Sequence, residues 1–214
     1  MIGLAAGDRA DERAIADAGL DTTPARVDDI ERALEALDRD PGSVTLSGGQ
    51  ASVVISSGHL QNAYAEIRGW ASSKVPGGRD DDHARPIRRA LAHGRLKAAD
   101  VGYARLATGA AEIARRRAQA IFSRALGPYA ARVALDVRDD GGDPSGAREM
   151  IACVIAVAVG WPPAVDRLSA GESDMTSVTS EIQATLQGRN PRVSLLVRFP
   201  GGGQATALAF TAPR

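Results

Sequence analysis

The chain has 214 residues, of which 44% are apolar and 24% charged, a balance that excludes a disordered chain and suits a folded globular one. Its 26 basic and 26 acidic residues cancel, and a pI near 6.8 argues against a dedicated nucleic-acid binder, which runs above about 9. One cysteine, Cys153, rules out an internal disulfide and fits a reducing compartment.

The first stretch, MIGLAAGDRADER, turns charged at its eighth residue. It offers no basic n-region and no apolar h-region of adequate length, so no secretory leader is expected. The longest apolar run, Met150 to Val159, has ten residues, against roughly 20 needed to span a bilayer. The expectation is a cytoplasmic protein without a membrane segment.

A short helix is expected over 9–18, then a better one over 24–38, with Thr23 as N-cap and Pro24 in its first turn. Val27, Ile30, Leu34 and Leu37 would form its buried stripe. Asp40-Pro41-Gly42 stops it. Residues 43–57, SVTLSGGQASVVISS, read as a hairpin about Gly48-Gly49. For 59–71 the helical face Leu60, Ala63, Tyr64, Ile67 and Ala71 is preferred over a further strand. KVPGGRDDDH (74–83) reads as a loop, followed by basic helices over 84–93 and 97–126.

Beyond Gly127-Pro128, Val133, Leu135 and Val137 alternate with polar neighbours and mark a strand over 130–138. Asp143 and Pro144 open a helix to about Val159 that is apolar nearly all round and therefore central. Met175, Val178, Ile182 and Leu186 mark a last helix, and RVSLLVRF and ATALAFTA form a second Gly-rich hairpin over 192–212. The sum is an α+β fold, helix-rich, with a small antiparallel or mixed sheet built from the two hairpins and the central strand 130–138. It is expected as a single domain over 1–214, divisible into a helix–hairpin unit (1–75), a basic helical middle (84–127) and a strand–helix–helix–hairpin unit (128–214). A weak repeat runs through it: ERALEALDRDP precedes the first hairpin as EIQATLQGRNP precedes the second.

Both hairpins contain Gly-Gly-Gln, the tripeptide by which peptide-chain release factors are known. Their flanks alternate like strands and carry no basic cluster, so both copies read as turns, where residues able to take φ > 0 are needed. The run Asp80-Asp81-Asp82-His83 and the cluster Asp136, Asp139, Asp140 and Asp143 hold groups capable of metal or acid–base work. Each reads more simply as a solvated charge run or a turn and cap. His59, His83 and His93 have no partner at metal-ligand spacing. Cys153 sits among apolar residues as a small core side chain. No phosphate loop, dinucleotide fingerprint or nucleophile elbow is found. No catalytic, cofactor-binding or metal-ligating residues are therefore assigned, and no cofactor is expected.

The net charge conceals three zones. Residues 1–40 carry 11 acids and 5 bases, 84–138 carry 12 bases and 3 acids, and 139–190 carry 8 acids and 3 bases. Complementary patches of this kind register protein partners. The sequence therefore points to a non-enzymatic interaction or assembly protein, self-associating or held in a complex, such as a phage-particle component or an accessory protein of a bacterial conflict system. Its contact residues would be Arg85, Arg88, Arg89, Arg105, Arg115, Arg116, Arg117 and Arg124. Nucleic acid bound by the Arg-rich segment 84–138 is the alternative, and a metal-dependent hydrolase using residues 80–83 a further one.

Overall fold

The computed structural model describes residues 2–6, 15–16, 18–20, 24–48, 51–58, 60, 62–75, 79–108, 111–139, 145–159, 191–199 and 203–213. Nine strands and four helices are found among them. In chain order they are β1 (Ile2–Ala6), β2 (Ala25–Val27), α1 (Ile30–Arg39), β3 (Ser43–Gly48), β4 (Ala51–Ser56) and β5 (Glu66–Lys74). There follow α2 (Asp80–His93), β6 (Val101–Thr108), α3 (Ala111–Leu126), β7 (Ala134–Asp139), α4 (Ala147–Val159), β8 (Val193–Phe199) and β9 (Gln204–Thr211).

The strands form two mixed sheets, β1-β4-β3-β2 and β5-β9-β8-β6-β7. Both are built on one plan. An antiparallel hairpin (β3–β4, β8–β9) takes an antiparallel strand on one side (β1, β5) and a parallel strand on the other (β2, β6). The weak sequence repeat thus has a counterpart in topology. β7 extends the larger sheet by one more parallel strand, at its edge.

Side-chain alternation divides the larger sheet between two cores. Ala104, Leu106, Leu195, Val197, Ala207 and Ala209 face α2 and α3, packing with Ile87, Leu91, Ile121 and Phe122. Tyr103, Leu196, Leu208 and Phe210 face the other way, toward α4. The same cluster takes in Val44, Leu46, Val53 and Ile55 of the smaller sheet, and Ile30, Ala33 and Leu34 of α1. Helices α1 and α4 therefore lie between the two sheets. That position explains the composition of α4: a helix covered on opposite sides must be apolar on both. It also explains β8, buried at every position but its last, since a strand with helices on both faces loses its polar alternation.

The α+β reading holds, and the hairpins expected at 43–57 and 192–212 are β3–β4 and β8–β9. Several element boundaries differ. Residues 101–108, expected inside a long helix, form β6, whose two buried faces hide the period of two. Of residues 59–71, where a helix was preferred, 66–71 belong instead to β5, which runs on to Lys74 and pairs with β9. Pro24 is not helical. Residues 25–27 are a strand parallel to β3, and α1 begins at Ile30 with Asp29 as N-cap, its carboxylate accepting from the Arg32 N–H at 3.1 Å. The carboxylates at 80–82 open α2 instead of sitting in a loop, where they oppose the positive end of its dipole. The strand expected at 130–138 starts at Ala134, after a 3-10 run through Arg132. Gln50, the Asp143 cap and the last helix at 175–186 fall outside the described residues. In the second Gly-Gly-Gln copy, Gly203 has φ +72°, and Gln204 opens β9 with its amide donating to Ser72 Oγ at 2.9 Å.

The end of α2 closes on the exposed edge of β5. The His93 imidazole Nδ1 lies 3.1 Å from the carbonyl oxygen of Trp70 and 3.4 Å from its amide nitrogen, so either tautomer meets a backbone partner. The approach depends on Gly69: a Cβ there would lie 2.1 Å from the Ala90 carbonyl oxygen and 2.6 Å from Gly94 N. Gly69→Ala is expected to destabilise the protein by about 3 kcal/mol through forced separation of α2 from β5. Its denaturant midpoint relative to the parent measures this directly.

Candidate functional site

At the carboxyl ends of β6, β7 and β8 the sheet face toward α4 changes from apolar to polar. In register across the sheet lie Arg138, Ala107, Arg198, Thr206 and Ser72, from β7, β6, β8, β9 and β5. Carboxyl ends of parallel strands are the usual place for a ligand in such sheets. One residue pair deeper, Asp136 and Arg105 are neighbours in the same face.

Asp136 is the hub. It accepts from Arg105 Nη1 at 2.9 Å, Arg138 Nε at 2.6 Å and the Tyr103 hydroxyl at 3.3 Å. The side chains of Arg105 and Asp136 are only 5% and 4% exposed. Burial works against the charge on Arg105, but its neighbours, the carboxylates of Asp136 and Glu149 among them, more than offset this and favour the charged guanidinium. The Tyr103 phenol is pushed well above its ordinary range, first by burial and then by the Asp136 charge, so it stays a neutral donor.

A second group meets this one from the helical layer. Arg198 is 1% exposed, and its guanidinium lies against Gly146, where an added Cβ would come within 2.9 Å of Cζ and Nη1. Gly146 also has φ +73°, so glycine is required there on two counts. Beside it, Ser145 Oγ accepts from the Ala147 N–H at 3.1 Å and caps α4. From α1, Glu31 accepts from the Thr206 hydroxyl at 2.5 Å. The Glu31 carboxyl is raised above its ordinary 4.5: desolvation is the main cause and nearby Asp29 adds to it, while Thr206 and Arg198 pull it back.

This cluster supplies positive charge and hydrogen-bond donors at a sheet end, which is chemistry for holding carbonyl or carboxylate oxygens. It supplies no sulfur nucleophile. Cys153 is fully buried in mid-helix, its thiol directed at the Leu195 carbonyl oxygen at 3.4 Å. Burial raises the thiol far above the range of a reactive cysteine, with Asp136 and Glu149 adding to the effect against the pull of Arg105.

The contact residues expected from the sequence are dispersed. Arg105 is buried in the cluster. Arg85, Arg88, Arg89 and Arg124 lie exposed on α2 and α3, and Arg117, half-buried on α3, binds Asp80 Oδ1 through Nη2 at 2.6 Å. Arg115 and Arg116 belong to α3, but their side chains are outside the described residues. Arg85 and Arg88 pair with Asp82 and Asp81 at 3.3 Å. The acidic run at 80–82 therefore compensates part of the basic middle within the fold. Among the described residues no group of three or more His, Cys, Asp or Glu is placed to hold a metal ion, and no helix is long and apolar enough to cross a membrane. Arg198, Thr206 and Glu31 were missed in the sequence. A charged residue inside the otherwise apolar VSLLVRF was the available signal.

No protein-family model matches the chain, and no curated protein does. Solved structures do. The ketosynthase domain OzmH KS8 of oxazolomycin biosynthesis from Streptomyces albus JA3453 is similar with a TM-score of 0.54 and 15% identity, over 86% of this chain and 61% of that one. A chain of AntDE:AntF, a type II polyketide synthase acyl-carrier protein in complex with its ketosynthase bound to the hexaketide, is similar with a TM-score of 0.51 and 13% identity. That match covers 77% of this chain and 44% of the other. The fold is ketosynthase-like. The chain spans roughly half the length of these structures, and at such identity the likeness is one of fold.

The likeness overturns the expectation of a non-enzymatic interaction or assembly protein, phage-particle and conflict-system roles included, because the chain shares the fold of biosynthetic enzymes. The nucleic-acid and metal-hydrolase alternatives go with it. Their signals were a basic segment that is partly paired internally and a DDDH run that begins a helix.

Asp136→Asn is expected to cost about 3–5 kcal/mol, because it strands the buried charge of Arg105. Asp81→Ala, removing a partner at the surface, should cost under about 1 kcal/mol; chemical denaturation of both variants separates the two. The raised carboxyl of Glu31 means that the folded chain keeps a proton the unfolded chain has lost. Its contribution to stability is full below pH 4.5 and fades as pH rises through the raised value. Glu31→Gln should flatten the dependence of the unfolding free energy on pH across that window.

Proposed function

We propose that this chain is a ketosynthase-like component of an acyl-chain-building system and receives acyl groups from a carrier protein. The observation that carries the reading is the match of 86% of the chain to a ketosynthase domain. The position of the polar cluster supports it, since carbonyl oxygens of an acyl chain need donors at the carboxyl ends of β6, β7 and β8, where Arg138 and Arg198 lie. The carrier-protein complex among the similar structures supplies the class of partner. The nucleophile of such a system is not Cys153, whose thiol is sealed in the core.

Two measurements test the reading together. Calorimetric titration with an acylated carrier protein should give saturable binding with Kd of about 1–100 μM, unchanged in Cys153→Ala; a flat titration across that range would remove the proposal. Iodoacetamide should leave the intact mass of the folded protein unaltered and add one alkyl group only after unfolding.

A further inference from the structure

On the layer formed by α2 and α3, away from the cluster described above, a groove of about 540 Å³ is lined by Arg79, Asp80, Asp81, Arg117 and Arg124. Both carboxylates in it are already engaged. Asp80 Oδ1 accepts from Arg117 Nε at 2.8 Å and Nη2 at 2.6 Å, and Asp81 Oδ1 accepts from both terminal nitrogens of Arg88 at 3.3 Å. Arg88 is fixed further by the Arg124 carbonyl oxygen at 3.2 Å. The guanidinium groups of Arg79 and Arg124 differ: neither makes a hydrogen bond or ion pair with another side chain of the described residues.

Three guanidinium groups line the groove against two carboxylates. Because Arg88, outside the lining, satisfies Asp81 as Arg117 satisfies Asp80, the guanidinium groups of Arg79 and Arg124 are left without an acidic partner there. The groove's volume is that of a site for a small molecule or a prosthetic arm. An unpaired guanidinium presents a rigid planar fork of donors that matches phosphate oxygens, and two such forks suit a group with more oxygens than a carboxylate has. The internally neutralised aspartates hold Arg117 and Arg88 in place and do not compete for Arg79 and Arg124.

We infer that this groove binds a phosphate group, with Arg79 and Arg124 as its direct ligands. The inference is independent of the acyl-carrier reading, since it rests on the groove's own charges. The phosphate could belong to a free phosphomonoester or to a phosphodiester tethered on a partner; the chemistry of recognition is shared.

Calorimetry with inorganic pyrophosphate at low ionic strength tests it. Binding with Kd of about 1 mM or tighter is expected, weakened at least about tenfold in the double variant Arg79→Ala/Arg124→Ala. Lys97→Ala, which removes an exposed cation outside the groove, should bind as the parent does. No heat from the parent protein, equal affinity in the double variant, or an equal loss in Lys97→Ala would each overturn the assignment. Unchanged circular dichroism melts show that the variants are folded. Glycerol 3-phosphate and dimethyl phosphate then distinguish the sources: tighter binding of the first supports a free monoester, and of the second a tethered diester.

Discussion

Everything in this fold is arranged around a helix buried along most of its length. Ten consecutive apolar residues make α4 unstable as a surface element, and two sheets are needed to cover it. From that constraint follow the layers: helices outside the larger sheet, then the sheet, then α1 and α4, then the smaller sheet. The larger sheet is covered on both faces, which in turn leaves its inner strands β6 and β8 buried nearly throughout.

Charged groups inside such a core must be matched or they destabilise it. Arg105, Asp136 and Arg138 satisfy this by clustering where β6 and β7 run side by side. Arg198 fits against Gly146, where a Cβ would collide with it, and has the Glu31 carboxyl within electrostatic reach. The polar end of an otherwise dry layer is thus built at two successive levels of the sheet, Arg105 beside Asp136 and, one residue pair further on, Arg138 and Arg198 on either side of Ala107. The same arrangement makes the site expensive to alter, because each member is the solvation shell of the others.

Local chemistry made part of this readable in advance. The hairpins announced themselves through glycine turns between alternating runs, and α4 through its unbroken apolarity. β6 did not, because VGYARLAT is buried on both faces and so lacks alternation, while its alanines and leucine also fit a helix. β5 was obscured in the same way: its strand identity comes from pairing with β9, more than 130 residues away, and long-range pairing overrides weak local preference. Of the polar cluster, Asp136 was noticed as part of an acidic run, and Arg105 and Arg138 as part of a basic block. Their mutual contact depends on β6 and β7 being neighbours in register, which no local pattern encodes. Thr206 and Glu31 are farther apart still, joined across 175 residues only by the layering.

The seat of His93 against Trp70 bears on how this protein behaves at high concentration. A free strand edge presents amides and carbonyls to any other chain that can lie alongside, and sheets grow into aggregates by that route. At Trp70 an imidazole from the end of α2 meets the carbonyl oxygen or the amide, according to its tautomer, and the close passage of Gly94 past Gly69 occupies the adjoining space. The larger sheet is thereby stopped from recruiting a further strand at the middle of its β5 border, so a histidine and two glycines far from the polar cluster help to keep one molecule from templating the next.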